Sequence, residues 1–515
     1  MAALNSCRAL PNLADSNLFL PFQDVSEAKL FKMKNYLRQL VSGESLKAQL
    51  WRGGAWLGGG SFLEQLLRFG RNMLLARILA PEAFGTMAII LSTTSIFQSL
   101  SDVGVRESLI QNPRGAEEEY TTAAWWLAFG RSIGLYVCLF VGAPLLASFY
   151  RNPQLTALLR VAAVGLLFEG AISSKAYVAV KHLQFRTWAL INHCGGIAGV
   201  IITVGLSFFI RNAWALAIGF AVENAARFLL SYALCPCAPW RSFHRAASSD
   251  LLKFSRGMVG LSLLNLIFSR TDIFVLAKLF SPAELGFYSM AVYLIQTPSS
   301  FIVNLLGQTF MPTFARIQQD EPRLNRMFLQ VSVAAVLIGM PVIAFLVFCG
   351  RSLLSLVYGQ AYAVGSAALT VASGVALMNV LNALITTVFY AKGRPQLHRR
   401  SVAMMAVLMM VLTYPLARHF GLLGGQLGAA VAIAVGYIFQ VERIANLTHV
   451  NLRRYGKAFV TGFAVSLCVV FVCMLARYFS LMVNPLPQVL WGVAGCLAAY
   501  TAAAIYAARR LSVAT

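Results

Sequence analysis

The sequence predicts an all-α polytopic membrane protein of about fourteen transmembrane helices, built as two six-helix lobes in a parallel repeat plus two C-terminal helices. Three observations carry this. Of 515 residues, 58% are hydrophobic and 12% charged, with a mean hydropathy of +0.69, whereas soluble domains carry roughly 25% charged residues. Apolar runs recur along the whole length, each long enough to cross ~30 Å of hydrocarbon as a helix. A short phrase, Leu75-Ala76-Arg77-Ile78-Leu79-Ala80-Pro81-Glu82-Ala83-Phe84-Gly85, returns 201 residues later as Leu276–Gly286, with Leu, Ala, Pro and Gly identical.

Residues 1–52 form a tail. Its first 28 residues are polar and lack the apolar core of a cleavable signal peptide. From Lys29 to Val41, apolar Leu30, Met33, Leu37, Leu40 and Val41 alternate at helical spacing with Lys29, Lys32, Lys34 and Arg38. That pattern suits a basic amphipathic helix on an anionic membrane surface, or equally a solvated tail helix.

Spans follow near 53–79, 83–101, 123–147, 157–180, 189–210, 213–235, 257–280 and 285–307, then near 328–350, 364–391, 401–417, 422–441, 458–479 and 487–508. The expected divisions are a first lobe at 53–236, a cytoplasmic linker at 237–256, a second lobe at 257–441 and a final pair at 442–515. Lys and Arg counts set the orientation: with both termini cytoplasmic, inner segments hold 29 and outer segments seven. This asymmetry also accounts for the net charge of +23 without nucleic acid as a partner. The nine cysteines are scattered without a CxxC pair, and the six histidines show no metal spacing, so neither a disulfide framework nor a metal site is expected, and no cofactor is called for.

The phrase joins spans one and two, and its copy joins spans seven and eight. Six spans, an even number, separate them, so both halves enter the membrane from the same side, as in a parallel repeat. Two repeated halves around a cleft form a transporter architecture.

Charges inside the spans are the candidate cavity residues, because an ionisable group at mid-membrane costs ~2.5–3.5 kcal/mol on insertion scales. Glu64, Arg68 and Arg71 are spaced i, i+4, i+7 on one face of span one. They read as a cationic stripe on the cavity, or as a structural ion pair. Span seven carries Arg270 and Asp272, and Asp272 aligns with Arg71 in the repeat. Glu223 and Arg227 in span six stand four apart and could neutralise each other. Arg131 in span three and Glu169 in span four are lone charges, either cavity residues or mutual partners. Spans eight to twelve carry almost no charge, so their side of the cavity is expected to be mostly apolar. Pro298, Pro341 and Pro415 are candidate kinks. Arginine suits a phosphate or diphosphate, since its planar fork binds oxyanions and stays charged when desolvated.

With Leu74–Gly85, Asp250-Leu251-Leu252-Lys253-Phe254-Ser255, Arg270-Thr271-Asp272, Leu285–Ala291, Met311–Arg316 and Tyr390–Pro395 on the page, the chain resembles the polysaccharide-transporter (Wzx-type) branch of the multidrug/oligosaccharidyl-lipid/polysaccharide flippase superfamily, over roughly residues 45–510. The resemblance implies a flippase, not an enzyme, of the bacterial plasma membrane. It implies a lipid-linked oligosaccharide cargo on undecaprenyl diphosphate, carried from inner to outer leaflet for polysaccharide or lipopolysaccharide assembly. A polymerase and other glycan-assembly proteins are the implied partners, with membrane lipid. Arg68, Arg71 and Arg270 would then meet diphosphate or acidic sugar, with Glu64 and Asp272 as moderators or ion-coupling groups. A drug or cation antiporter on the same fold would ask for more acids than bases in the cavity. A membrane polymerase or ligase would need a large outer loop, and a non-transporting scaffold would leave the mid-depth arginines without purpose.

Overall fold

The computed structural model describes residues 46–101, 104–238, 244–255, 259–479 and 484–512. The basic segment 29–41 lies outside them. In chain order the helices are α1 (Leu46–Ile78), α2 (Pro81–Ser101), α3 (Val105–Gln111), α4 (Glu118–Phe149), α5 (Gln154–Gly170), α6 (Lys175–Lys181), α7 (Phe185–Phe209) and α8 (Ala213–Leu234). After them come α9 (Arg245–Ser255), α10 (Val259–Leu279), α11 (Pro282–Arg316), α12 (Glu321–Val357), a 3₁₀ turn (Gln360–Gly365), α13 (Ser366–Ala391), α14 (Pro395–Phe420), α15 (Leu423–Thr448), α16 (Leu452–Tyr478) and α17 (Pro485–Ser512).

Ten helices among the described residues are long and apolar enough to cross a membrane, or eleven when α5 and α6 count as one bent span. The remaining three expected spans fall on α1, α10 and α17, outside that set. The span expected as one helix over 157–180 is broken, with α5 and α6 meeting at 56°. Neighbours take up the backbone groups that the break frees. Trp125 Nε1 donates to the Ala171 carbonyl (3.1 Å), and the Ser173 N–H donates to Ser231 Oγ (3.0 Å). Helices α11, α12 and α14 run continuously through Pro298, Pro341 and Pro415.

Two further features refine the expected organisation. The linker between the lobes contains the helix α9, whose Ala247 and Leu251 pack with Val105, Leu109, Tyr120 and Ala123 of α3 and α4. The final helices α16 and α17 dock on α12, where Val465, Val469, Cys473 and Ala499 enclose Cys349.

Local sequence starts the repeated helices. Pro81 and Pro282 occupy first-turn positions, where a missing N–H costs nothing. Ser281 and Glu284 close a capping box around α11. The two copies of the phrase then pack against each other across the lobes. A Cβ on Gly85 would lie 1.8 Å from the Pro282 carbonyl oxygen, and one on Gly286 would lie 2.0 Å from the Pro81 carbonyl oxygen. Helices in lipid gain no hydrophobic drive from meeting, so close packing of small residues holds them together.

The cations of the phrase complete this reciprocal contact. Arg77 Nη2 donates to the Leu356 carbonyl at the end of α12 (2.7 Å), and Lys278 Nζ donates to the Phe149 carbonyl at the end of α4 (2.5 Å). Each cation thus meets the negative end of a helix in the opposite lobe, a placement worth ~0.3–1 kcal/mol. Tyr362 of the 3₁₀ turn stands edge-on to Phe84 and to Phe287, one from each lobe. Below this layer Leu75, Leu276, Leu285 and Leu354 are fully buried in one shared core.

Gly85→Val or Gly286→Val would drive a side chain into backbone, which cannot give way as a flexible side chain does. Each is expected to cost about 1–3 kcal/mol, seen as a lower melting temperature of the purified protein in detergent. Gly70→Ala, with open space around that position, is the control expected to leave stability unchanged or higher.

Candidate functional site

A cavity of about 850 Å³ begins beneath the glycine contact and follows α11 from Tyr288 to Met311. At 1.5 Å per residue that is roughly 35 Å of helix. Its walls come from α10, α11, α13, α14 and α15 of the second lobe, with α1 and α2 and only Leu216 of α8 from the first.

Of the sequence-derived candidates, Arg71, Arg270 and Asp272 line this cavity. Arg71 lies seven residues before the end of α1 and Arg270 nine before the end of α10, so both sit roughly 10–14 Å from the repeat-phrase end. Arg71 donates from Nε and Nη2 to Asn72 Oδ1 (3.1 and 3.0 Å). Among the described residues neither arginine has a carboxylate oxygen within 4.0 Å. Asp272 is buried, and its Oδ2 accepts from Tyr288 Oη (2.5 Å), which in turn accepts from Gln426 Nε2 (2.7 Å). Although Arg270 and Asp272 stand only two apart, both reach the cavity.

Glu64, Arg68, Glu223 and Arg227 come together elsewhere, in a cluster packed between α1, α7 and α8. Arg68 donates to Glu64 Oε1 from Nε (2.9 Å) and to Glu223 Oε1 from Nη2 (2.6 Å). Arg227 Nη2 meets the same Glu223 oxygen at 2.6 Å, and His193 Nδ1 lies 2.7 Å from Glu64 Oε2. None of the five side chains exposes more than 23% of its surface. The chain makes room for them on α7, where a Cβ on Gly196 would lie 2.4 Å from Glu64 Oε1. Two arginines bridging two carboxylates leave little free charge for a ligand.

Arg131 and Glu169 are joined through α2. Arg131 donates to Ser101 Oγ (2.9 Å) and to the Gln98 carbonyl (3.1 Å), while Gln98 Nε2 donates to Glu169 Oε2 (2.5 Å). Neither lines the cavity described above.

The largest departure from expectation is the second-lobe wall. It has few charges, as counted, and apolar surface predominates, yet it carries more polar groups than a count of charges shows. Nine carboxamide side chains line the cavity, eight of them from the second lobe. Tyr293, Thr386, Tyr390 and His398 add further polar groups. A search restricted to charges passes over Asn and Gln. The signal was present, since Gln296, Asn304 and Gln308 recur toward one side of a single membrane helix.

The repeat makes the asymmetry explicit. Adding 201 to Glu64, Arg68 and Arg71 reaches Asn265, Ser269 and Asp272, which all line the cavity. In the first lobe Glu64 and Arg68 are thus engaged in ion pairs and only Arg71 reaches the cavity, whereas all three second-lobe counterparts line it.

Fold and site together define a class: a multi-pass helical membrane protein with a parallel internal repeat around a cavity lined by cations from both halves. Within it, the chain belongs to the polysaccharide biosynthesis protein family, whose pattern matches residues 74–367. It is 23% identical over 396 residues to the lipopolysaccharide biosynthesis protein WzxC of Escherichia coli (strain K12), covering 76% of this chain and 79% of that protein. It is 21% identical to the teichuronic acid biosynthesis protein TuaB of Bacillus subtilis (strain 168), covering 68% and 73%. Among solved structures, the lipid II flippase MurJ in an inward closed conformation superposes with a TM-score of 0.69 at 13% identity, covering 86% and 97%. A MATE transporter in complex with MaD5 gives 0.51 at 14% identity, covering 79% and 98%. At these identities the structures speak for the fold alone. They agree with the superfamily that the sequence motifs resemble.

Arg68 and Arg71 should separate in mutagenesis. Arg68→Ala removes one of the two arginines that bridge Glu64 and Glu223 and is expected to cost about 1.5–3 kcal/mol, read as a fall in melting temperature. Arg71→Ala removes no carboxylate partner and should leave the melting temperature within a degree or two of the parent.

Proposed function

We propose that the protein is an alternating-access flippase that carries a lipid-linked oligosaccharide, of the undecaprenyl-diphosphate type, from the inner to the outer leaflet of the bacterial plasma membrane. One observation carries the reading. Arg71 and Arg270, one from each lobe, line a single cavity, and among the described residues neither has a carboxylate oxygen within 4.0 Å. Two guanidinium groups facing one cavity attract a polyvalent oxyanion, and their forked donors fit phosphate oxygens. Positioned on different lobes, they would hold a diphosphate while the lobes rock around it. The names of the polysaccharide-assembly relatives point to the same pathway class.

The excess of Lys and Arg in alternate loops supports an orientation with both termini cytoplasmic and the repeated phrase outside. In that frame the contact between Gly85 and Gly286 is an outer closure, and outward opening separates the two phrases. Binding, orientation and exposure to the other leaflet are the work asked of the protein, and no bond is made or broken.

In proteoliposomes the purified protein is expected to move a fluorescent undecaprenyl-diphosphate sugar between leaflets. Arg71→Ala and Arg270→Ala should each slow this at least tenfold with unchanged melting temperature, and normal rates in both would overturn the reading. Cysteine labelling at Ala80 should proceed from outside and at Gln396 from inside; the reverse pattern would invert the topology.

A further inference from the structure

The second-lobe wall contains more hydrogen-bonding capacity than its own packing uses. On α11, Gln296, Asn304 and Gln308 fall at intervals of eight and four residues, which align them on one helix face over roughly 18 Å. On the adjoining α13, Asn379, Asn382 and Thr386 repeat at intervals of three and four. All six line the cavity. Polar residues inside a membrane protein often tie helices together, and Ser299 Oγ does so here by donating to the Ala376 carbonyl at 3.4 Å. Thr386 Oγ1 likewise meets His398 Nδ1 of α14 at 3.0 Å, but the five carboxamides of these stripes do not take part. Among the described residues no hydrogen bond engages the side chains of Gln296, Asn304, Gln308 or Asn379. Asn382 goes further: it is 7% exposed, and both of its amide atoms are without a partner. A buried amide left unpaired lowers stability, and an apolar residue of the same shape would not. Retaining one beside a cavity is the signature of a group kept for a ligand.

Helix length points the same way. The first-lobe counterpart α2 ends after 21 residues, whereas α11 continues for 35. Asn304 and Gln308 lie on that extension.

We propose that these two carboxamide stripes form a glycan subsite, distinct from Arg71 and Arg270, that recognises the uncharged, hydroxyl-rich sugars of the cargo. This rests on the flippase reading above. A carboxamide offers both donors and an acceptor, which matches a sugar hydroxyl that donates and accepts. Tyr293 and Tyr390, at either end of the stripes, contribute ring faces for the apolar faces of sugar rings. No Lys, Arg, Asp or Glu belongs to either stripe. The charged residues of the lining are Arg71, Arg270 and Asp272, near the repeat-phrase end. The diphosphate therefore seats toward that end, with the glycan extending along α11 and α13 toward the other. A site built to hydrogen-bond hydroxyls rejects ligands lacking them, because its polar groups are then left unpaired.

The test compares two lipids on the full chain in nanodiscs: undecaprenyl diphosphate, and the same lipid bearing a short neutral oligosaccharide of glucose and galactose. The sugar-bearing lipid should bind at least tenfold more tightly. Gln308→Leu combined with Asn379→Leu should abolish that advantage while leaving the sugar-free lipid unaffected. Asn382→Leu should reduce the advantage without lowering the melting temperature, an outcome that a purely structural asparagine would not produce. Replacing the neutral sugars by uronic acids should weaken binding. Equal binding of the two lipids by the parent, equal weakening of both by the carboxamide variants, or preference for the uronic acids would each overturn the subsite. Arg71→Ala tests the diphosphate reading separately, since it should weaken both lipids. If it weakens neither while the carboxamide variants still act, the diphosphate assignment fails and the glycan subsite stands.

Discussion

The reciprocal seating of Pro81–Gly85 against Pro282–Gly286 is the constraint from which the rest of the structure follows. Two helix N-termini can approach this closely only because neither glycine presents a side chain to the opposing carbonyl. The contact fixes the two lobes relative to each other at one end. Arg77 and Lys278 then reach across to the terminal carbonyls of α12 and α4. Everything beneath, including the position at which the cavity begins, depends on that end being closed.

Below the closure the two lobes diverge. In the first, three helices are bound by an ion cluster in which Glu223 Oε1 is shared by Arg68 and Arg227. Such a cluster is costly to desolvate, but once formed, removing one member exposes the others to an uncompensated charge. The second lobe has neutral polar residues at the corresponding places and surrounds the cavity with them. Arg71 belongs to the first lobe and Arg270 to the second, so the cavity they line is bounded by both.

Some of this was legible in the sequence because it rests on local or periodic signals. Long apolar runs identify membrane helices wherever they pack. A repeated phrase identifies a duplicated unit, and even spacing between the copies sets its parallel sense. Charge at mid-depth singled out Arg71, Arg270 and Asp272 as residues to place. The same criterion selected Glu64, Arg68, Glu223 and Arg227, because energetic cost is the same whether a charge meets a ligand or another charge. It selected Arg131 and Glu169 too, whose link through Gln98 involves three separate helices. Carboxamides escaped it altogether, being uncharged.

The sequence by itself determined that this chain is a duplicated membrane helix bundle, since composition, period and repeat are properties of the chain alone; its kinship with polysaccharide-assembly proteins came from the motifs it shares with that family. Tertiary structure decided which buried charges cancel and which remain available. That distinction depends on distances of a few ångströms between residues up to 163 positions apart, from Glu64 to Arg227, and no local pattern encodes them. It also decided that the two copies of the phrase touch each other, and that the quieter second half supplies most of the cavity wall.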